Sequence, residues 1–292
     1  MMKKAKILAP LMMAAVILTA CSSGGSAPDN AADDPGNSVS SAESTAGSVP
    51  DEETEEPDAV TPPETGNTPA EDSSDPSHMR AEFTNGMPSG FEASDGWSNG
   101  SMFNVTWRKS NVTFDGGNMQ LIIDNDTIPT AIPYSGGEFR SKGFYGYGRY
   151  EVSMKAIKND GVVSSFFTYT GPSDHNPWDE IDVEILGKDT TKVQFNYFTD
   201  SRGSHEYMYD LGFDASEDFH TYGFEWHDDK IVWFVDGEEV HTAEKNIPST
   251  PGKIMMNAWC GTGVDGWLNA FDDSSLPIAA EYQWIKFTPF EE

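Results

Sequence analysis

Positions 178–186 limit what this chain can fold into more than any other stretch. They read Trp-Asp-Glu-Ile-Asp-Val-Glu-Ile-Leu. Extended, such a segment sends alternate side chains to opposite faces. Trp178, Glu180, Asp182 and Glu184 then point one way, and Asp179, Ile181, Val183 and Ile185 the other. The second face is mostly β-branched and suits a core. The first lines up three carboxylates beneath an aromatic. Like charges side by side on a sheet repel, so a chain that accepts this cost has a use for it. The working expectation is a site that cleaves carbohydrate.

The surrounding sequence repeats the strand pattern. Candidate strands run over 118–123, 148–156, 162–170, 191–198, 219–226, 230–235, 252–259 and 281–287. Tyr150, Val152 and Met154 share a face, and Asp236-Gly237 marks a hairpin turn. No segment reads as a helix of three turns; Ala279-Ala280 could at most sit in a short one. Many strands without helices predict an all-β fold, a jelly-roll β-sandwich of two antiparallel sheets.

Charge divides the chain into three parts. Residues 1–21 hold Lys3, Lys4 and Lys6 and no acid; residues 22–79 hold 14 acids and no Lys or Arg; residues 80–292 hold 34 acids and 15 bases. The first part has a basic start and an apolar run from Ile7 to Ala20, short for a membrane span. Its end, Leu18-Thr19-Ala20-Cys21, resembles the bacterial lipobox, which implies lipidation at Cys21. The chain is thus expected to be exported and lipid-anchored on the outer face of the bacterial cell membrane. Residues 22–79, rich in Ser, Pro, Gly and acid, cannot bury enough apolar surface to offset their ordering entropy and are expected to form a disordered linker. Residues 80–292 carry all 8 Trp and suit one domain. Their acidity argues against nucleic acid as a partner, while a neutral sugar polymer would not be repelled. A monomer is expected.

Cleaving a glycosidic bond takes a carboxylic acid to protonate the leaving oxygen and a second carboxylate facing it. Glu180 and Glu184 lie roughly 13 Å apart along an extended backbone, a gap that long side chains on a bent strand can narrow. Asp182 between them would raise its neighbours' pKa values and hold a proton in the site. The same three acids could instead be solvated decoration, or bind calcium. The neighbouring strands favour sugar. Gln194, Asn196 and Phe198 share one face, and Phe167 and Tyr169 another, so aromatic plates alternate with amides. Cys260 could be read as a nucleophile, but no matching His accompanies it and packing is the expected role. The 6 His show no metal-ligand spacing.

The segment Trp178 to Tyr197, read as Trp-Asp-Glu-Ile-Asp-Val-Glu-Ile-Leu-Gly-Lys-Asp-Thr-Thr-Lys-Val-Gln-Phe-Asn-Tyr, resembles the bacterial lichenases, the β-1,3-1,4-glucanases of glycoside hydrolase family 16. Residues 163–172 and 247–257 resemble them too, and the likeness extends over nearly all of 80–292. It implies a jelly roll whose concave face forms the substrate cleft. It also implies Glu180 as nucleophile, Glu184 as acid/base and Asp182 as helper. Sugar contacts implied are Asn99, Glu138, Arg140, Tyr169, Trp178, Asn196, Asn257, Trp259 and Trp267. Read without the resemblance, Trp178 and Trp259 could be core residues and Arg140 could pair with Glu138.

Departures from the family pattern carry their own expectations. Val105 and Gly136 stand where a disulfide often joins two early strands, and Phe198 stands in place of a sugar-facing Tyr. Cys260 replaces an Asn. Gln283 stands where a structural calcium has a carboxylate, which makes calcium doubtful; no cofactor is required. The expected activity is retaining endo-hydrolysis of mixed-linkage β-1,3-1,4-glucan. The alternatives are a β-1,3-glucan (laminarin) hydrolase and a non-catalytic glucan-binding surface protein.

Overall fold

The structure, a computed structural model, describes residues 79–290. The expected signal, the lipidated Cys21 and the linker up to residue 78 lie outside the described residues. Within them, the first strands are β1 (Met79–Glu82), β2 (Phe91–Ala93), β3 (Val105–Trp107), β4 (Val112–Asp115), β5 (Asn118–Asn125) and β6 (Tyr134–Ser141). Next come β7 (Gly148–Lys155), β8 (Val162–Thr170), β9 (Asp179–Leu186), β10 (Lys192–Phe198) and β11 (Tyr207–Asp210). The last are β12 (His220–Trp226), β13 (Ile231–Val235), β14 (Glu238–Ala243), β15 (Lys253–Cys260) and β16 (Ile278–Pro289), with a single-turn helix α1 (Asp265–Leu268) before β16.

These strands make the expected all-β jelly roll. One antiparallel layer runs β11-β10-β9-β8-β15-β6, with β2 on the edge of β6. The other runs β5-β16-β7-β12-β13-β14, with β1 on β16 and β4 on β5. The layers join where the end of β5 meets the start of β6, pairing Asp124 with Ser135 and Asn125 with Tyr134. Ile181, Val183 and Ile185 of β9 are completely buried, so the apolar face of this strand faces the core. Trp233 of the opposite layer donates from Nε1 to the backbone oxygen of Asp182 at 3.1 Å. That bond ties the two layers together directly beneath the carboxylates.

Local chemistry explains the hairpins. Asp236 and Gly237 both have positive φ, 49° and 83°, the twist that lets a two-residue turn join right-twisted strands. β13 and β14 pair across it.

Where the strand pattern misleads, the cause is visible. Ala279 and Ala280 lie in β16 rather than in a helix. A register shift between Tyr282 and Trp284 makes Gln283 an extra residue, so burial alternates through Ala280 and Tyr282 and resumes at Ile285 and Phe287. Such a bulge erases the simple two-residue period. Strand β6 is hidden in the sequence by Gly136-Gly137, which look like a turn. They are packing glycines. A Cβ on Gly136 would meet the Ala258 oxygen at 2.8 Å and Val105 Cγ2 at 3.0 Å, and one on Gly137 would meet the Asn111 oxygen at 2.6 Å. Val105 thus fills the space beside Gly136 with an ordinary side chain. Cys260, the described cysteine, is free and buried.

Candidate active site

Register across the first layer builds the site row by row on the face turned away from the second layer. Glu184 is flanked by Gln194 of β10 and Ser165 of β8, and its row continues to Asn257 and Glu138. Asp182 lies between Asn196 and Phe167, and its row continues through Met255 and Arg140 to Glu92. Glu180 lies between Phe198 and Tyr169, with Lys253 beyond. One strand supplies the carboxylates, and the strands beside it supply amides, aromatics and further acids.

Each Glu has its own donor. Trp178 Nε1 donates to Oε2 of Glu180 at 2.5 Å, and the indole stacks on Phe198 with ring centres 4.6 Å apart and planes 14° from parallel. Gln194 Nε2 donates to Oε2 of Glu184 at 2.7 Å. The Gln194 oxygen in turn accepts from Nε1 of Trp267, on α1, at 3.1 Å. Asp182, 6% exposed, lies between the two.

Burial is the largest influence on all three acids. It pushes Glu180 up to about 8, against the pull of the Trp178 N–H, with the charges of Glu184 and Glu138 adding to the rise. Glu184 is pushed up to about 7 by burial, opposed by the Gln194 amide. Asp182 is raised well above the usual carboxylate range, by burial and then by the charges on Glu180 and Glu184. Acids this close titrate as one set. At neutral pH the set retains protons, which is the condition for a carboxyl group to act as an acid in water.

The expected sugar contacts divide by depth. Asn257 is buried, and its Oδ1 accepts from Ser165 Oγ at 2.6 Å. Asn196 is buried and accepts the Tyr197 N–H at 2.9 Å. Glu138 is 1% exposed. It accepts from Ser94 Oγ at 2.6 Å, while its Oε2 has no hydrogen-bond partner. Burial lifts it to about 6, opposed by the Ser94 hydroxyl, the Arg140 charge and, least, the Asn257 side chain. Arg140 does not pair with Glu138. It pairs with Glu92 at 3.0 Å, beneath the exposed ring of Trp97 at 5.8 Å. Tyr169 is half-buried opposite Glu180, and burial raises its phenol. Asn99 is exposed and accepts from Trp107 Nε1 at 2.7 Å. Trp178 is half-buried and touches Glu180. Trp259 lies in the core at 2% exposure, with Phe103 at 4.1 Å and Trp267 at 6.0 Å; it backs the half-buried Trp267.

Residues that the sequence reading passed over complete the site. Glu92 lies in the three-residue strand β2, and Ser94 and Trp97 in the irregular segment after it, so none carries a periodic signal. Asp179 did carry one, as an acid on the apolar face of its strand. Its Oδ1 accepts the Asp200 N–H at 2.9 Å, and its Oδ2 accepts those of Ser249 and Thr250, both at 3.0 Å, so one buried carboxylate fastens two loops to the catalytic strand. Burial pushes the Cys260 thiol up to about 12, which suits packing and not attack. Gln283 accepts from Ser153 Oγ at 2.9 Å. Among the described residues no group of three His, Cys, Asp or Glu is placed to hold a metal ion.

The family description "Glycosyl hydrolases family 16" matches residues 99–286. A Ruminococcus flavefaciens protein named xylanase/beta-glucanase is 59% identical over 214 residues, covering 72% of this chain and 27% of that protein. A beta-glucanase of Acetivibrio thermocellus is 57% identical over 209 residues, covering 72% of this chain and 62% of its own length. The chain therefore spans less than two thirds of both relatives. Among solved structures, a prokaryotic β-1,3-1,4-glucanase (lichenase) from a mouse hindgut metagenome superposes with a TM-score of 0.71 at 52% identity, over 73% of this chain and 100% of that one.

Proposed function

The chain belongs to glycosyl hydrolases family 16, and we propose that it is an endo-β-glucanase cutting mixed-linkage β-1,3-1,4-glucan with retention. The observation that carries this reading is the pairing of Glu180 and Glu184 on one strand face, each with its own donor and with Asp182 between them. The names of relatives more than 50% identical support the substrate class.

In this reading Glu184 gives its proton to the leaving glycosidic oxygen as Glu180 attacks the anomeric carbon. The C–O bond to the aglycone breaks, and a glycosyl-enzyme ester forms. Glu184, now ionised, takes a proton from water, which attacks the same carbon and frees Glu180. Asp182 keeps its proton and limits the charge on the face to what Glu180 and Glu184 exchange. The division of roles rests on the match to the family motif. Burial raises both Glu180 and Glu184, and in this reading the proton rests on Glu184 once substrate lies between them. Asn99, Glu138, Arg140, Tyr169, Trp178, Asn196, Asn257 and Trp267 would bind glucose units along the face, with Trp259 behind them.

Glu180→Gln should abolish hydrolysis of barley glucan while leaving the thermal melt intact; undiminished turnover would overturn the assignment. Rates on barley glucan and laminarin, compared side by side, test the linkage. Faster laminarin turnover would shift the reading to a β-1,3-glucanase, and tight binding without new reducing ends to a non-catalytic binder. The N-terminal sequence supports export and lipid anchoring through Cys21, with residues 22–79 as a linker. Cys21→Ala should then release the protein from the membrane fraction, and unchanged fractionation would count against the anchor.

A further inference from the structure

The Trp178 indole is fixed on more than one side. One face stacks on Phe198 at 4.6 Å. Phe198 is itself backed by the segment that follows it, because a Cβ on Gly203 would come within 2.4 Å of Phe198 Cε1. At Gly203, therefore, bare backbone lies against the ring. That segment is held in a costly conformation, with Asp200, Ser201 and Ser204 at φ 50°, 68° and 70°, a region L-residues avoid. Strain of this kind persists where the surroundings over-determine it. Here they do, through residues next to Glu180: Asp200 N–H donates to Asp179 Oδ1, and Ser201 N–H to the Trp178 oxygen, both at 2.9 Å. The remaining polar edge of the indole points at Glu180.

We propose that Phe198 and the loop 199–204 form a brace that holds the Trp178 N–H on Glu180, making Phe198 and Gly203 positioning residues for the attacking carboxylate. The inference rests on the reading of Glu180 as nucleophile. Phe198 has no hydroxyl to offer a sugar, and stacking occupies one of its faces, so its part is packing. The bond it secures favours the ionised form of Glu180. The other titratable or charged groups facing Glu180 are Asp182 and Glu184 on its own strand, Glu138 from β6 and Tyr169 from β8, with the Lys253–Asp174 ion pair beyond. From β10 come only Asn196 and Phe198, which do not titrate. Substitutions at Phe198 or Gly203 leave every one of these charges in place.

The test is the pH profile of kcat on barley glucan, measured for the full chain and for F198A, F198Y, G203A and W178F, with E180Q alongside. In the substrate complex an attacking Glu180 is ionised while Glu184 holds the proton, so the titration of Glu180 governs the acid limb of kcat. Removing a donor from a carboxylate raises its pKa, so the limb should move to higher pH. F198A and W178F should shift it upward by about one pH unit. G203A should shift it the same way, because its Cβ displaces the ring, and F198Y, which keeps the stack, should leave the limb where it is. Thermal melts identify any variant that fails to fold; if F198A fails, G203A tests the brace and W178F the N–H. Lower kcat with an unmoved acid limb in F198A or G203A overturns the brace. Full turnover by E180Q would instead overturn the nucleophile assignment on which the brace rests.

Discussion

Arg140 is ion-paired with Glu92 at 3.0 Å and not with Glu138, its neighbour on the same face of β6. Glu138 is left almost fully buried with one oxygen bound to Ser94 and the other without a partner. A carboxyl in that position costs the fold stability when ionised, and a sugar hydroxyl reaching it would relieve the cost. In the proposed reading this oxygen is the acceptor for a donor from substrate.

Glu138→Gln follows from this. Burial raises the folded-state value to about 6 from an ordinary 4.5, so the native state binds its proton more tightly than the unfolded chain does. The penalty is absent below about pH 4.5, develops as pH rises through 6, and is complete above it. At pH 7 the Gln variant should be more stable by up to about 2 kcal/mol, and the difference between variant and parent should vanish in acid. Thermal unfolding of both across pH 4–8 checks the sign. If Glu138 meets sugar as proposed, KM for barley glucan should rise in the same variant.

Gln194→Ala removes the donor to Glu184 and frees Trp267 from its acceptor. The Glu184 value should rise, because the amide favours the ionised carboxylate. In the proposed role Glu184 is lost as an acid when it deprotonates in the substrate complex, so the basic limb of the kcat profile should move upward while its plateau falls by roughly 10- to 100-fold. Aryl glucosides with good leaving groups, which need little protonation, should lose much less. An unmoved basic limb would show that Gln194 does not act on Glu184.

Gly137→Ala should destabilise the domain by about 1–3 kcal/mol. The new methyl would meet backbone on several sides, with the Asn111 oxygen at 2.6 Å, Leu121 Cα at 3.0 Å and Ile122 N at 3.1 Å. No flexible side chain can swing aside to admit it. Because Gly137 precedes Glu138 on the same strand, β-glucan turnover should fall with the melting temperature. Urea unfolding of the variant measures the cost.

Much of the architecture is legible in the residues. The carboxylate and β-branched faces of Asp179–Leu186, the hairpin at Asp236-Gly237 and the span Val162–Thr170 follow from side-chain alternation and turn chemistry. Strand β6 was not legible, because glycines required by close packing look like turn glycines. The end of the chain was obscured by the extra residue at Gln283, which breaks the period.

By itself, then, the sequence determined an all-β domain with three acids on one open strand face and a family motif around them. Strand periodicity and hairpin turns are local properties, set by chirality and by which residues tolerate a given φ. Which side chain meets which acid was decided only in the tertiary structure. Glu92 reaches Arg140, Trp267 reaches Gln194 and Trp178 comes to rest on Phe198 through strand order and register. Those depend on contacts far apart in the chain, whose partners cannot be paired until the layers have assembled.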